Sequence, residues 1–239
     1  ISINSMAAHY YPTDESVLLK EGDVVKLDIG VHIDGYVADN ALTVNLGEDK
    51  NLELIKASKD ALKEALTLFT PGIKVREIGK AVEEVIVGYG FHPIKNLSGH
   101  EIKQYELHAG LTIPNFDNKD NTELIEGQVF AIEPFATTGD GYVKDGKLSN
   151  IYKLVNPKSI RSGREVLDFI IEEYKTLPFH RSWILEKFGE FKTNFALRIL
   201  EKDGILHNYP QLVERSNGIV SQAEHTVMVD DRPRIMTKI

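Results

Sequence analysis

The chain has 239 residues, of which 42% are hydrophobic and 27% are charged, a composition typical of a folded globular protein. Its net charge of -8 argues against a general nucleic-acid or anionic-membrane binder, because phosphates and acidic lipids select basic surfaces. Cysteine is absent, so disulfides and thiolate metal sites are excluded and any metal must be bound by Asp, Glu and His. We therefore expect a cytoplasmic protein without nucleic-acid or membrane partners.

A β-hairpin is predicted first, over 24–46. Apolar and polar residues alternate on both sides of Asp34-Gly35, which is a favourable two-residue turn. The later elements follow from apolar spacing and from glycine and proline breaks. In chain order they are a helix from Leu52 to Phe69, a helix from Val75 to Tyr89, and strands around Leu107, from Gln128 to Pro134 and from Ile219 to Val229. The pattern is that of an α+β protein.

Between Pro157 and Arg215 the sequence changes to helical segments, and Ser162 with Glu165 has the form of a capping box at the start of one of them. We predict that 157–215 is a helical, winged-helix-like insertion, and that 1–156 and 216–239 form the main domain. The insertion holds ten Lys and Arg against nine Asp and Glu. Because these charges nearly cancel, the insertion is not expected to bind DNA, although its helices are spaced as in a helix-turn-helix motif.

Two acids of the predicted hairpin are candidates for metal binding. With the turn at Asp34-Gly35, Asp28 lies opposite Ala41 and Asp39 lies opposite Gly30. Both carboxylates then share one face as diagonal neighbours, within reach of one ion. Two anions so close repel each other, and one pKa rises unless a cation lies between them. The alternative is structural, with one acid capping a turn and the other paired with a lysine.

Three further candidates lie in other predicted strand regions. Glu133 ends an apolar run, Glu224 repeats that setting, and His100 lies in a segment predicted to be a loop before a strand. Each alone has an ordinary structural explanation, as an acid at a strand end or a hydrogen-bonded histidine. Together with the hairpin acids they make one nitrogen and four carboxylate ligands, which favour Mn, Fe(II), Co or Zn. Shared carboxylates suit two ions ~3.5–4 Å apart.

Six segments in order carry a resemblance to a known family. They are Ala7-Ala8-His9-Tyr10, Lys26-Leu27-Asp28-Ile29-Gly30, Ala38-Asp39, Gly99-His100 followed by Gln104-Tyr105 and Leu107-His108-Ala109-Gly110, Ala131-Ile132-Glu133-Pro134-Phe135, and Ala223-Glu224-His225-Thr226. The chain resembles the type 2 methionine aminopeptidases of archaea and eukaryotes over nearly its whole length. The insertion before Glu224 resembles the one that separates type 2 from type 1 enzymes.

The resemblance implies a pita-bread fold with pseudo-twofold halves, a helical insertion and, in the family, an N-terminal helical part ahead of the position of Ile1. A short internal repeat is consistent with two related halves. The segment Ile1-Ser2-Ile3-Asn4 before His9 is similar to Asn96-Leu97-Ser98-Gly99 before His100. Only the second copy follows a predicted helix pair. We therefore expect that the N-terminal helical part is missing from this sequence.

The resemblance also implies residue roles. The metal ligands would be Asp28, Asp39, His100, Glu133 and Glu224, holding two divalent ions (Co, Mn, Fe or Zn). Catalysis would involve His9 and His108, which contact the substrate amide and stabilise the tetrahedral intermediate, and Glu133, which moves a proton to the leaving amine. The methionine pocket would include Leu107, Phe135 and Tyr209. The implied activity is removal of the N-terminal methionine from nascent peptides and proteins by a hydroxide activated by the two metals.

Two alternatives are left open. One is an Xaa-Pro peptidase of the same fold, and the other is a metal-free relative that binds peptides or the ribosome. The sequence keeps all five ligand positions, which favours the enzyme. The expected partners are the N-termini of nascent proteins and the ribosome, and we expect a monomer once the N-terminal segment is included.

Overall fold

The computed structural model describes residues 1–12, 17–47 and 49–238. Its strands are β1 (Ser2–Ile3), β2 (Met6–Ala8), β3 (Val24–Ile33), β4 (Tyr36–Asn45), β5 (His92–Pro93), β6 (Ser98–Ile102), β7 (Thr112–Pro114), β8 (Val129–Ile132), β9 (Phe135–Thr137), β10 (Val143–Leu154), β11 (Phe179–His180), β12 (Leu206–Glu214), β13 (Val220–Gln222), β14 (His225–Met228) and β15 (Arg234–Ile235). Its helices are α1 (Leu52–Leu66), α2 (Val75–Gly88), α3 (Arg164–Glu173), α4 (Arg181–Phe188) and α5 (Glu190–Lys202). Within these ranges, none of the α-helices combines the length and the hydrophobicity that a membrane span requires.

The strands form antiparallel sheets that bring distant parts of the sequence together. Their strand orders are β1-β3-β4, β11-β10-β12-β2, β13-β9-β5 and β15-β14-β8-β6-β7. The five-stranded sheet joins the segments around residues 100, 130 and 226, because β6 and β14 both pair with β8. Three of the predicted ligand regions are therefore neighbours in one sheet.

The predicted hairpin is confirmed in β3 and β4, and Asp34 (φ 51°) and Gly35 (φ 84°) both have the positive φ of a tight hairpin turn. The outer half of β3 is exposed, although it carries apolar residues. Ile29, Val31 and Ile33 are 51%, 61% and 80% exposed. Within the described parts of the chain, no element covers the outer half of this strand.

The inner half of β3 is fixed by a buried lysine. The Lys26 ammonium donates to the carbonyl oxygens of Asn4 and Val220, at 2.9 Å in each case. Burial lowers the pKa of Lys26 to about 7, because the low-dielectric interior disfavours the charged form. The two hydrogen bonds join β3 to the turn between β1 and β2 and to the start of β13.

The two predicted helices that follow the hairpin are confirmed as α1 and α2. Their apolar faces pack against strands β7, β8 and β14 in the main apolar core, where Phe69, Phe130 and Val227 are fully buried. Helix α1 ends three residues before the predicted end at Phe69. The Phe69 ring lies beyond the helix end and packs against Phe130, with ring centroids 5.7 Å apart. Because Phe69 is a buried apolar residue, the apolar spacing in the sequence continues past the last residue of the helix.

Gly79 of α2 sets how closely this helix approaches β7. A Cβ at this position would lie 2.3 Å from the carbonyl oxygen of Phe116 and 2.9 Å from that of Pro114. We expect Gly79→Ala to lower the free energy of unfolding by about 2–3 kcal/mol, because the backbone must move to make room. Urea unfolding followed by circular dichroism measures the change. Gly88→Ala in the same helix is the control, since its Cβ meets nothing within 4 Å. Equal losses in the two variants would contradict this packing explanation.

The region after β10 contains three helices with their own apolar cluster, which includes Val166, Ile184 and Leu200. Tyr152 of β10 and Leu206 of β12 also belong to this cluster, so the helices pack on the strands that flank them. The domain boundaries at 157 and 215 stay a prediction. The predicted capping box is wrong, because α3 begins at Arg164 behind Gly163, whose φ is 80°, and no side chain caps it.

Candidate metal centre

The hairpin places its two acids as the sequence predicted. Asp28 is opposite Ala41 and Gly30 is opposite Asp39, so the two carboxylates are diagonal neighbours on one face. A Cβ at Gly30 would lie 3.3 Å from an oxygen of Asp39, so the glycine leaves space for that carboxylate. Asp39 is buried, whereas Asp28 is still reached by solvent.

The other three predicted ligands converge from the five-stranded sheet. His100 lies in β6 opposite Ala131, and Glu133 directly follows β8. Glu224 lies between β13 and β14, so the single strand predicted from Ile219 to Val229 is in fact broken at this acid. The backbone N–H of Glu224 donates to the carbonyl oxygen of Ala41 at 3.0 Å, which joins the sheet to the hairpin.

Distances between side-chain atoms show one cluster. One ligand atom each from Asp39, His100 and Glu224 lies within 4.8 Å of the other two. Nε2 of His100 is 3.7 Å from Oε1 of Glu133. The structure therefore brings these predicted ligands together from four separate strand regions.

Gln222 is a site residue to which sequence reasoning gave no role. Its Nε2 donates to Asp28 at 3.2 Å and to Glu133 at 3.3 Å, and it lies 3.5 Å from an oxygen of Glu224. The amide thus links acids from three segments. Its position two residues before Glu224, in a strand of buried residues, was the available signal, because such neighbours share a face.

The carboxylates have raised pKa values. Burial, followed by the charge of Asp28, raises the pKa of Asp39 to about 7. Burial and the neighbouring acids hold the pKa values of Glu133 and Glu224 well above the ordinary range. Protein packed behind Asp28 raises its pKa too, although one side of it is open to solvent. Like charges in a desolvated cluster disfavour ionisation.

These residues suit divalent metal ions. Four carboxylates and one imidazole offer hard oxygen donors and one nitrogen, with no thiolate, a set appropriate to first-row divalent metals. The same burial and repulsion that raise the acid pKa values would be relieved by cations between the carboxylates. Burial lowers the pKa of His100 to about 4, so its imidazole is neutral and able to ligate at neutral pH.

Two histidines and a tyrosine stand beside this cluster. The rings of His108 and His100 are 4.4 Å apart, and Tyr209 lies 5.0 Å from His9 and 6.4 Å from His108 between ring centroids. Nδ1 of His9 is 3.1 Å from the carbonyl oxygen of Pro210. Burial is the largest cause that lowers the pKa of His9, and it also lowers that of His108 to about 3.

A cavity of about 360 Å³ opens onto the cluster. It is lined by Ala8, His9, Asn96, Leu97, Ser98, His100, His108, Gly110, Thr112, Glu133, Phe135 and Leu212. Of the three residues predicted to form the substrate pocket, Phe135 lines this cavity, and Tyr209 stands beside His9 at its edge. Leu107 is not among the lining residues. The pocket roles of these three residues stay predictions.

The segment around Leu107 is a loop, and the predicted strand there is wrong. The sequence predicted a loop followed by a strand around His100. In the structure the strand, β6, comes first and the loop follows it. Tyr105 holds this loop in place. Its N–H donates to the carbonyl oxygen of Gly35 at 2.9 Å, Thr176 donates to its carbonyl oxygen, and the Lys175 ammonium lies 3.8 Å from its ring centroid. Tertiary contacts to the hairpin and the helical region thus replace strand pairing.

The chain is similar to known metallopeptidases over most of its length. Metallopeptidase family M24 matches residues 1–231. The methionine aminopeptidase of Pyrococcus abyssi is 47% identical over 99% of this chain and 81% of its own length. The methionine aminopeptidase of Pyrococcus horikoshii is 48% identical over 96% of this chain and 79% of its own length.

A solved structure supports the same fold. The crystal structure of methionine aminopeptidase from Rickettsia prowazekii matches with a TM-score of 0.69 and 22% identity, over 99% of this chain and 72% of that one. The expected pita-bread fold is therefore confirmed. The extent of the family match and the identity to its archaeal relatives show that the chain belongs to metallopeptidase family M24.

Proposed function

We propose that this chain is a type 2 methionine aminopeptidase, which removes the N-terminal methionine from peptides and newly made proteins. The observation that carries this proposal is the acid and histidine cluster at the end of a cavity of about 360 Å³. Ala8, Leu97, Phe135 and Leu212 supply apolar lining for a thioether side chain. The high identity to archaeal methionine aminopeptidases supports the same assignment.

The type 2 assignment is supported by the helical region between β10 and β12. Its apolar cluster packs beside β10 and β12, and β12 carries Tyr209. The resemblance of this insertion to that of type 2 enzymes, together with the sequence order of the site motifs, favours this subtype.

We also propose that the protein acts in the cytoplasm, because a chain without cysteine suits a reducing environment.

Asp28, Asp39, His100, Glu133 and Glu224 would hold the metal ions. When bound, divalent ions supply Lewis acidity that activates water at neutral pH and polarises a carbonyl group. The chain's own residues handle the protons. Glu133, whose Oε1 lies 3.7 Å from Nε2 of His100, would accept a proton and pass it to the leaving amine.

His9 contacts the substrate as a neutral imidazole with a fixed tautomer. A carbonyl oxygen only accepts, so the 3.1 Å contact to Pro210 requires the proton on Nδ1. The lowered pKa of His9 then leaves Nε2 unprotonated at neutral pH. Nε2 would accept from the N–H of the substrate amide, and the neutral ring of His108 would donate to the substrate carbonyl oxygen.

The test is the release of free methionine from Met-Ala-Ser, with Ala-Pro-Ser as the competing substrate. The chain is assayed with added Mn or Co and again with EDTA. We expect metal-dependent cleavage of the methionine peptide only, because the cavity takes one unbranched apolar side chain. Cleavage of only the proline peptide would identify an Xaa-Pro peptidase. Failure to bind metal, with folding intact, would instead support a peptide-binding relative.

A further inference from the structure

The strands β10 and β12 have two faces with different environments. Tyr152 and Leu154 of β10 and Leu206 of β12 point into the apolar cluster of the helical region. Because side chains alternate along a strand, Lys153 and His207 point to the opposite face. The two are direct cross-strand partners in the antiparallel pair.

This opposite face borders the metal centre. Tyr209 follows His207 by two residues on the same face, with ring centroids 4.8 Å apart, and Tyr209 in turn lies 5.0 Å from His9. The charge of Lys153 contributes to the lowered pKa values of both His100 and His108, so its ammonium lies near these rings. Lys153 and His207 therefore stand at the edge of the candidate active site.

Lys153 has no counter-ion in the described parts of the chain. Its side chain is half-buried, and no ion pair or hydrogen bond joins it to a residue within 1–12, 17–47 or 49–238. The His207 ring is exposed and likewise has no hydrogen-bond partner within these ranges. A half-buried ammonium without a partner is costly, and in a protein of net charge -8 it is conspicuous.

We propose that Lys153 and His207 form a subsite for a carboxylate, supplied by an acidic side chain in the residues that follow the methionine of the substrate. This subsite rests on the proposed aminopeptidase function. Directly opposed residues have Cβ atoms about 4.5–5.5 Å apart, so an ammonium and an imidazole N–H can contact one carboxylate together. The methionine occupies the cavity, and the chain beyond the scissile bond passes Tyr209 towards this pair.

The experiment compares kcat/KM for Met-Ala-Asp-Ser and Met-Ala-Ser-Asp with their Asn counterparts, using the metal-loaded protein. We expect an Asp-to-Asn ratio of about 5–10 at one of the two positions, expressed mainly in KM and reduced by added salt. Lys153→Met should bring the ratio close to one. Lys153→Glu should reverse it and favour a Lys peptide at the same position. Ratios within one variant are unaffected by a general loss of activity.

Lys147→Met is the matched control. It removes the same charge from the same strand, six residues or about 20 Å away, and should keep the ratio of the original chain. An Asp-to-Asn ratio of one in the original chain, with the Asn peptides cleaved, would exclude the carboxylate subsite and leave the proposed function intact. A ratio unchanged by Lys153→Glu would exclude it as well. If no methionine peptide is cleaved, the proposed function fails and the subsite with it.

Discussion

Asp39→Asn is expected to lower kcat/KM for a methionyl peptide by about a thousandfold or more, equivalent to about 4 kcal/mol of transition-state stabilisation. Asp39 is buried and contributes a ligand atom within 4.8 Å of those of His100 and Glu224. The amide keeps the shape of the carboxylate but removes the negative charge that binds a cation. Metal content measured after gel filtration should fall together with the activity.

Asp34→Asn is the matched control for this prediction. It makes the same chemical change in the same hairpin, at an exposed turn residue with a φ of 51°, where asparagine is favoured. Its activity and metal content should match those of the original chain. Retention of two metals and of full activity in Asp39→Asn would show that Asp39 is not a ligand.

The metal-free protein is expected to lose stability as the pH rises from 6.5 to 8. The pKa of Asp39 is raised from 3.8 to about 7, and those of Glu133 and Glu224 are raised well above the ordinary range. A group whose folded pKa is raised stays protonated in the native state after the unfolded state has lost its proton. Unfolding then releases protons, so the free energy of unfolding falls as the pH rises.

Between pH 6.5 and 8 Asp39 contributes only the last part of its loss of stability, so Glu133 and Glu224 cause most of the fall in this range. For buried Asp39 alone, moving the pKa from 3.8 to about 7 corresponds to about 4 kcal/mol, lost between pH 4 and just above pH 7. Buried histidines act in the opposite direction, since the lowered pKa values of His100 and His108 make stability rise with pH. The histidine contribution is nearly complete at pH 7, whereas Lys26, with its pKa lowered to about 7, makes stability rise above that pH. Two acids with strongly raised pKa values, Glu133 and Glu224, outweigh this one lysine.

Thermal unfolding of chelator-treated protein, compared with Mn-loaded protein at pH 6.5, 7 and 8, measures this effect. Bound cations compensate the carboxylates, so the loaded protein should be more stable and should not lose stability over this range. Metal-free Asp39→Asn should lose less stability between pH 6.5 and 8 than the metal-free original chain. A metal-free Tm that is constant or rises from pH 6.5 to 8 would argue against a desolvated acid cluster.

Local patterns in the sequence determined the hairpin register, the first two helices and the candidate metal ligands. The alternation around Asp34-Gly35 set the hairpin register, and with it the diagonal placement of Asp28 and Asp39, because strand period and turn length leave one arrangement. Helical spacing similarly predicted α1 and α2. Candidate ligands were visible because an acid within an apolar run is costly unless it is compensated.

The tertiary structure decided the features that depend on contacts between distant residues. Gln222 reaches Asp28 over 194 positions, and the loop after β6 is held by Tyr105 through contacts with Gly35 and Thr176. Period and propensity describe neighbours along the chain and carry no information on such pairs. The exposure of the outer half of β3, the break at Glu224 and the pairing of Lys153 with His207 have the same origin, because burial and strand pairing are set by elements distant in sequence.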